Sequence, residues 1–357
     1  MRLVQIILCI TFSSSAVTAA DYPITAKIIG GQTASSTAWP WMAALSNKSL
    51  TAISGLFCGG SLIAQNWVLT AAHCMFDNKN QLETPQNLRV QINSANLNSI
   101  TGEVHNVAEI HVHPAFNQTN LNNDLALLKL SENSNVTPIE ILPANSSQDE
   151  AGQNSIALGW GNTSTRRIVF PADLHQVALP IISNAVCSRA LTGIIDSMVC
   201  AGQVTGGVDT CEGDSGGPLL VFDQESQSYR QAAITSFGES KCAAPGFYGV
   251  YTRVDQFNDF ISNTICSAEQ IPTAPQLKLT VNKTLVQVSW NKVLNGQHFR
   301  LNYAPYPTGT PIASMEMHQK TEYAVNLPLN SAYYVAITAY NGNCKSGYSN
   351  VETFVVR

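Results

Sequence analysis

The chain has 357 residues, which is more than one ordinary hydrophobic core accommodates and suggests about two domains. Hydrophobic residues make up 45% of the chain and charged residues only 12%, so it can bury large cores and is not a disordered tail. The formal net charge is −5, and no stretch is rich in lysine or arginine. This pattern argues against nucleic acids and anionic membrane surfaces as partners.

The N-terminus has the pattern of a secretory signal peptide. Arg2 gives a positive start, residues 3–12 form an apolar run, and small residues ending at Ala20 suit signal peptidase. That apolar run is too short to cross about 30 Å of hydrocarbon, and no other segment is suited to a membrane span. We therefore expect residues 1–20 to be a signal peptide and the protein to be secreted, extracellular or, in a bacterial host, periplasmic in transit.

The chain contains nine cysteines, of which Cys9 lies in the predicted signal peptide. The even number that remains in an exported chain favours disulfides over metal ligands. No pair has the short CxxC spacing of a structural zinc site, so no metal is expected. The cysteines of the mature chain are Cys58, Cys74, Cys187, Cys200, Cys211, Cys242, Cys266 and Cys344.

Residues 28 to about 265 contain many short apolar runs separated by glycine, asparagine, serine and proline, a pattern that is typical of strands and turns. The end of this region differs, because Val254, Phe257, Ile261 and Ile265 recur at spacings of three and four. A helix over residues 254–265 is therefore expected to end the domain.

Residues 267–275 include two prolines among polar and small residues and indicate a linker. Strand-like alternation then returns, first in the segment that ends at Trp290 and later in the segment that begins at Tyr333. About seven short strands within residues 276–357 suit a small β-sandwich.

Three sites along the chain carry the residues that nucleophilic catalysis needs. Ser215 lies in the glycine-rich segment 213–218, and an alkyl hydroxyl requires a general base and an oxyanion site to act as a nucleophile. His73 follows one apolar strand, and Asp124 precedes another. Each residue alone is more often structural, but their order and local signatures together predict a catalytic triad.

The segments around these residues resemble the trypsin/chymotrypsin family of serine proteases. They run in the order of the family over about residues 28 to 265, and they are Ile28-Ile29-Gly30-Gly31, Ala71-Ala72-His73-Cys74, Asp124-Leu125-Ala126-Leu127-Leu128, Gly159-Trp160-Gly161, Met198-Val199-Cys200-Ala201-Gly202 and Gly213-Asp214-Ser215-Gly216-Gly217-Pro218. The resemblance implies an all-β fold of two perpendicular six-stranded antiparallel β-barrels with a C-terminal helix. The triad would lie in the cleft between the barrels.

The resemblance also implies a serine endopeptidase that acts on polypeptide substrates. Ser215 would be the nucleophile, His73 the general base and then acid, and Asp124 the group that orients His73. The backbone N–H groups of Gly213 and Ser215 would form the oxyanion hole. The alternative is a non-catalytic homologue that serves in binding or adhesion. Such homologues usually lose a triad residue, and this chain has all three.

Activation of a zymogen follows from the same resemblance. Cleavage after Lys27, by another trypsin-like protease or by another copy of the enzyme, would free the amino group of Ile28. That group would turn inward and pair with the Asp214 carboxylate, which would order the oxyanion loop. Residues 21–27 would then be a short propeptide.

The resemblance places a primary specificity pocket around Asp209, whose carboxylate would attract arginine and lysine side chains of the substrate. Ser236, Phe237 and Gly238 would form one wall, which pairs with the substrate backbone, and Gly249 would form a second wall. Phe237 replaces the tryptophan that is usual in the family. Glu212 would lie at the pocket mouth and disfavour acidic substrate residues nearby.

Three disulfides follow from the resemblance: Cys58–Cys74, Cys187–Cys200 and Cys211–Cys242. Cys266 and Cys344 either pair with each other, which would tie the linker to the second domain, or remain as free thiols or an intermolecular bridge. No cofactor is expected. The calcium loop of the family would fall near residues 92–103, where Glu103 is the single carboxylate.

Residues 276–357 resemble a fibronectin type III module through Trp290 and the segment that begins at Tyr333. The expected domains are the protease at 28–266, the linker at 267–275 and this module at 276–357. The module carries no catalytic constellation, and its role is substrate or surface binding, protection of the protease, or a spacer.

Overall fold

A computed structural model describes residues 28–357 except for residues 36, 100, 225 and 240. The expected signal peptide and propeptide, including Lys27, lie outside the described residues. After a two-residue strand β1 (Gln32–Thr33), six strands close into a first antiparallel barrel in the order β2-β3-β4-β7-β6-β5. These strands are β2 (Met42–Asn47), β3 (Leu56–Ala64), β4 (Trp67–Thr70), β5 (Leu88–Ile92), β6 (Glu103–Val112) and β7 (Ala126–Leu130).

The second barrel is built from the strands that follow. They are β8 (Asn154–Gly159), β9 (His175–Ile182), β10 (Met198–Ala201), β11 (Pro218–Asp223), β12 (Ser228–Phe237) and β13 (Gly249–Arg253), with helix α1 (Asn184–Cys187) between β9 and β10. The sheet runs β9-β10-β13-β12-β11-β8 and closes where β8 pairs with β9. The short strand β1 pairs with the first two residues of β9. The structure thus confirms the two expected six-stranded barrels.

A helix ends the protease region, as the apolar spacing predicts, although it starts later. Residues Val254–Phe257 form a 3-10 turn, and the α-helix proper is α2 (Asn258–Ile265). Val254, Ile261 and Ile265 are all buried against the first barrel, so the predicted apolar face is the one that packs. Among the described residues, no helix is both long and apolar enough to cross a membrane.

The C-terminal region forms a β-sandwich of eight strands, one more than the sequence suggests. They are β14 (Leu277–Asn282), β15 (Leu285–Trp290), β16 (His298–Pro305), β17 (Ala313–His318), β18 (Glu322–Asn326), β19 (Ala332–Asn341), β20 (Cys344–Lys345) and β21 (Glu352–Val355). One sheet is β14-β15-β18, and in the other β17, β16 and β19 lie side by side with β20 and β21 paired to β19. Trp290 and Phe299 meet edge to face between the sheets.

Four disulfides are present in the described residues. Three join the pairs that the family resemblance implies, Cys58–Cys74, Cys187–Cys200 and Cys211–Cys242. The fourth joins Cys266, directly after α2, to Cys344 in β20 and closes a loop over 78 residues of sequence. Of the two alternatives for these last cysteines, the structure has the intramolecular bridge, which fixes the C-terminal sandwich to the end of the protease region.

Candidate active site

His73 and Asp124 form a close pair at the edge of the first barrel. His73 begins a short 3-10 helix just after β4, and the Cys58–Cys74 disulfide holds that helix against β3. Asp124 precedes β7 and is completely buried. His73 Nδ1 lies 2.7 Å from Asp124 Oδ2, and the backbone N–H of His73 donates to Asp124 Oδ1 at 2.8 Å. Two contacts from one carboxylate fix both the position and the ring orientation of the histidine.

The second barrel contributes two further contacts to Asp124. The hydroxyl of Ser236 donates to Asp124 Oδ2 at 2.5 Å, and the hydroxyl of Thr252 donates to the backbone carbonyl of Asp124 at 3.0 Å. The sequence analysis assigns Ser236 only to a pocket wall and does not single out Thr252. A contact between residues 112 positions apart leaves no local sequence signal.

Ser215 lies on the turn that precedes β11, and backbone hydrogen bonds tie this turn to both barrels. The Ser215 carbonyl accepts from the N–H of Gly59 in β3 at 2.7 Å, and the N–H of Gly216 donates to the carbonyl of Thr235 in β12 at 2.8 Å. Among the described residues, no hydrogen bond joins the Ser215 hydroxyl to His73. Such catalytic contacts are often long in unliganded enzymes and shorten when substrate binds.

Two backbone N–H groups beside Ser215 are available to a substrate oxygen. Gly213 has φ +93°, a conformation that L side chains rarely adopt, and this conformation shapes the turn before the serine. Within the described part of the chain, the N–H groups of Gly213 and Ser215 donate to no protein acceptor. Unpaired N–H donors are one requirement of an oxyanion hole.

The Asp214 carboxylate is completely buried next to this turn. Its Oδ1 accepts from the N–H of Gly161 at 2.8 Å, and its Oδ2 accepts from the N–H of Cys211 at 2.9 Å. None of the ion pairs recorded within the described residues includes it. Burial therefore raises the pKa of Asp214 to about 7, since the two backbone donors compensate only part of the lost hydration.

The segment around Ile28 is packed into the second barrel. The Ile28 side chain is completely buried in the barrel core with Val199 and Tyr251. The carbonyl of Ile29 accepts from the N–H of Asp209 at 3.1 Å. This hydrogen bond joins the first residues of the protease region to the segment that carries Asp209.

A pocket of about 200 Å³ opens beside Ser215, and every residue of the expected specificity pocket lines it. The lining consists of Asp209, Thr210, Cys211, Glu212, Ser215, Thr235, Ser236, Phe237, Gly238, Glu239, Cys242 and Gly249. Glu212 is exposed at the surface of the pocket. Glu239 is a third acidic residue in the lining, beside Asp209 and Glu212, and the sequence analysis does not identify it.

Asp209 is buried in this pocket with one carboxylate oxygen unsatisfied. Oδ2 accepts from the N–H of Ala243 at 3.0 Å, whereas Oδ1 is buried without a hydrogen-bond partner. A side chain at Gly249 would bring its Cβ within 3.0 Å of that oxygen, so glycine keeps the carboxylate open to the pocket. Burial raises the pKa of Asp209 to about 6.

One group of potential metal ligands occurs among the described residues, and it consists of His73 with Cys58 and Cys74. The two sulfurs are bonded to each other, so neither is available as a thiolate ligand. The group is thus the support of the histidine rather than a metal centre.

Comparison with known proteins agrees with this geometry. The sequence profile of the Trypsin family matches residues 28–261. The chain belongs to the trypsin family. It is similar to kallikrein 1-related peptidase b3 of Mus musculus, with 33% identity over 73% of this chain and 97% of that protein. It is also similar to trypsin I-P1 of Gallus gallus, at 35% identity over 68% and 90%, and to serine protease 1 of Rattus norvegicus, at 36% identity over 68% and 91%.

As a member of the trypsin family, this protein is a serine endopeptidase, a hydrolase of polypeptides. The matched segment ends before the C-terminal sandwich, so the family accounts for the two barrels and the first half of α2.

The contact between Ser236 and Asp124 gives a testable prediction. Ser236→Ala should lower kcat roughly ten- to hundred-fold, because a hydrogen bond to a buried carboxylate is worth about 1.5–3 kcal/mol. KM should change little, since the backbone of the pocket wall remains. Steady-state kinetics of this variant are compared with those of Ser228→Ala, an exposed serine at the other end of β12 that should leave both constants unchanged. An unchanged kcat in Ser236→Ala would contradict the contact.

Proposed function

We propose that this trypsin-family enzyme is a secreted zymogen that, once cleaved after Lys27, hydrolyses peptide bonds that follow arginine or lysine. The observation that carries the specificity is the unsatisfied Asp209 oxygen buried in the pocket beside Ser215. A buried carboxylate without a cation is costly, and the guanidinium or ammonium group of a substrate would supply the missing charge and donors.

The proposed reaction follows the acyl-enzyme route. Ser215 Oγ attacks the substrate carbonyl carbon while its proton passes to His73 Nε2, and the Gly213 and Ser215 N–H groups stabilise the resulting oxyanion. The C–N bond then breaks as His73 returns the proton to the leaving amine. A water molecule then attacks the acyl carbon while its proton passes to His73. The ester bond to Ser215 Oγ breaks as His73 returns the proton to that oxygen, which releases the acid and regenerates the serine. Asp124 keeps His73 in the orientation that this proton transfer needs and stabilises its protonated form.

The local geometry also supports the proposed activation step. Ile28 is already buried in the second barrel, and within the described part of the chain the fully buried Asp214 carboxylate has only backbone donors. An amino group freed at Ile28 would give this carboxylate a cationic partner and favour its charged form. Residues 21–27 are the proposed propeptide and residues 1–20 the proposed signal peptide. The four disulfides in the described residues suit an oxidising, extracellular site.

The alternative of a non-catalytic homologue is not favoured, because the residues that such homologues lose are present at the candidate site. For the C-terminal region we propose a fibronectin type III-like sandwich over residues 276–357, joined to the protease region 28–266 by residues 267–275. The buried Trp290 in β15 and the position of Tyr333 at the start of β19 support this assignment.

The pocket acid yields a prediction about specificity and pH. Asp209→Asn should lower kcat/KM for arginine and lysine peptides about 100-fold or more, because one partner of a buried ion pair is removed. In the parent enzyme, the pKa of Asp209 near 6 means that the carboxylate loses its charge as pH falls through 6, so KM for basic substrates should rise there. Steady-state kinetics over a pH series with arginine and phenylalanine substrates measure both effects.

Two control variants complete that experiment. Asp196→Asn removes an exposed carboxylate that does not line the pocket and should keep the arginine preference. Ser215→Ala should abolish turnover of every substrate. Undiminished activity in Ser215→Ala would overturn the mechanism, whereas an intact arginine preference in Asp209→Asn would overturn only the role of the pocket acid.

The activation step is tested separately. Trypsin treatment of the purified chain should yield a new N-terminus at Ile28 and raise kcat by roughly 100-fold or more, the usual effect of completing an oxyanion hole. Lys27→Gln should resist this cleavage and keep the low peptidase activity of the uncut chain. Asp214→Asn should be cleaved normally, but its peptidase activity should stay as low as that of the uncut chain. N-terminal sequencing and peptide assays read out both variants, and full activity in uncut Lys27→Gln would contradict the zymogen proposal.

A further inference from the structure

The tip of the hairpin between β19 and β20 is fixed firmly to the protease region. Cys344 in β20 is bonded to Cys266 at the end of α2. The neighbouring Lys345 adds two contacts to α2, because its N–H donates to Ser262 Oγ at 3.3 Å and its Nζ lies 2.8 Å from Asp259 Oδ1. The turn between β19 and β20 is therefore held at a defined place on the protease region.

Asn343 at this turn makes three hydrogen bonds to backbone groups of the protease region. Its Nδ2 donates to the carbonyl of Ile63 at 2.8 Å and to the carbonyl of Ile139 at 3.2 Å. Its Oδ1 accepts from the N–H of Ile141 at 3.0 Å. Both donors and the acceptor of the side-chain amide are thus used, which no other side chain of similar size reproduces.

The groups that Asn343 binds belong to the junction between the two barrels. Ile139 lies in the connection from the first barrel to the second, and its N–H donates to the carbonyl of Leu62 in β3 at 2.9 Å. On the other side of the same connection, the N–H of Gln231 in β12 donates to the carbonyl of Glu140 at 2.9 Å. The Ser61 hydroxyl closes the junction with a buried hydrogen bond of 2.5 Å to Gln231 Oε1.

The two strands that meet at this junction both continue into the candidate active site. In β3, Gly59 donates its N–H to the Ser215 carbonyl. In β12, Ser236 donates to Asp124. At about 3.3 Å per residue, these contacts lie roughly 7 to 17 Å along the strands from Ser61 and Gln231. A displacement of the backbone at the junction would therefore change the positions of Ser215 and Asp124, because each of them contacts one of these two strands.

We propose that Asn343 is a positioning residue for the protease reaction. Through it, the C-terminal sandwich holds the two barrels in the relative position that the triad needs. The proposal rests on the proposed triad, in which the base and its carboxylate come from the first barrel and the nucleophile from the second. The specificity pocket, in contrast, is lined entirely by residues 209–249, which belong to the second barrel. Loosening the junction should therefore impair bond cleavage more than substrate binding.

The test compares Asn343→Ala with Asn341→Ala in the full-length, cleaved enzyme. Asn341 ends β19, two residues before Asn343, and among the described residues its side chain makes one hydrogen bond, to the carbonyl of Gln270 at 3.1 Å, outside the junction. Asn343→Ala should lower kcat roughly ten- to hundred-fold, the order expected for a displacement of about 1 Å between reacting groups, and leave KM for an arginine peptide within about two-fold. Asn341→Ala should retain both constants.

Hydrogen exchange supplies a readout that does not depend on activity. The Ile141 amide should be protected in the parent chain and in Asn341→Ala, and should exchange faster in Asn343→Ala. If Asn343→Ala does not fold, Asn343→Ser, which keeps one donor and one acceptor, serves in the same assays with an intermediate loss of kcat expected.

Two results would overturn the proposal: a kcat that is unchanged in Asn343→Ala, or a loss carried by KM alone. Faster Ile141 exchange with normal kcat would show that the contact exists but does not position the triad. An inactive parent enzyme after cleavage at Lys27 would instead count against the proposed function, and the exchange experiment would still report on the contact.

Discussion

The structure depends most on one buried charge. Asp214 lies next to the proposed nucleophile, fully enclosed, with two backbone N–H groups as its hydrogen-bond partners. Its pKa of about 7 means that the stability present below the ordinary carboxyl pKa near 4 is lost as pH rises through 7. Without a cationic partner, the free energy of unfolding falls by roughly 4 kcal/mol over this range. A cationic partner at this position would recover that loss and hold the turn that carries Ser215.

The same turn joins the two barrels at the point where chemistry is proposed to occur. The carbonyl of Ser215 is bonded to β3, and Ser236 in β12 supports Asp124 from the opposite barrel. The pocket is built from the second barrel alone, whereas the His73–Asp124 pair comes from the first. Binding and bond cleavage would therefore depend on different parts of the structure, and in our proposal the relative position of the barrels matters for cleavage. No residue of the C-terminal sandwich lines the pocket, so its influence would pass through the junction.

Much of the fold was predictable because its signals are local. Alternating apolar runs mark strands such as β4 and β7, and short motifs mark the turns that carry His73, Asp124 and Ser215. The helix at residues 254–265 was predicted from its apolar spacing, but the sequence did not show that its first four residues form a 3-10 turn. The roles of the triad and pocket residues stay predictions. The structure links the segments that carry them through the contact of Ser215 with β3 and the contact of Ser236 with Asp124.

Contacts between distant segments were not predictable. Ser236 reaches Asp124 across 112 positions, and Asn343 reaches Ile63 across 280. A serine beside a pocket and an asparagine in a turn are both common, and their partners emerge only when separate barrels and the sandwich pack together. Turn chemistry explains why asparagine is acceptable at position 343, but not which backbone groups its amide binds.

The most direct test of the coupling between the buried charge and the nucleophile is the rate at which a fluorophosphonate labels the chain before and after cleavage at Lys27. Mass spectrometry of the labelled peptides locates the modified residue. We expect slow labelling of the uncut chain and fast labelling of the cleaved chain, with the label on Ser215. Equally fast labelling before cleavage, or a label on another residue, would contradict the account.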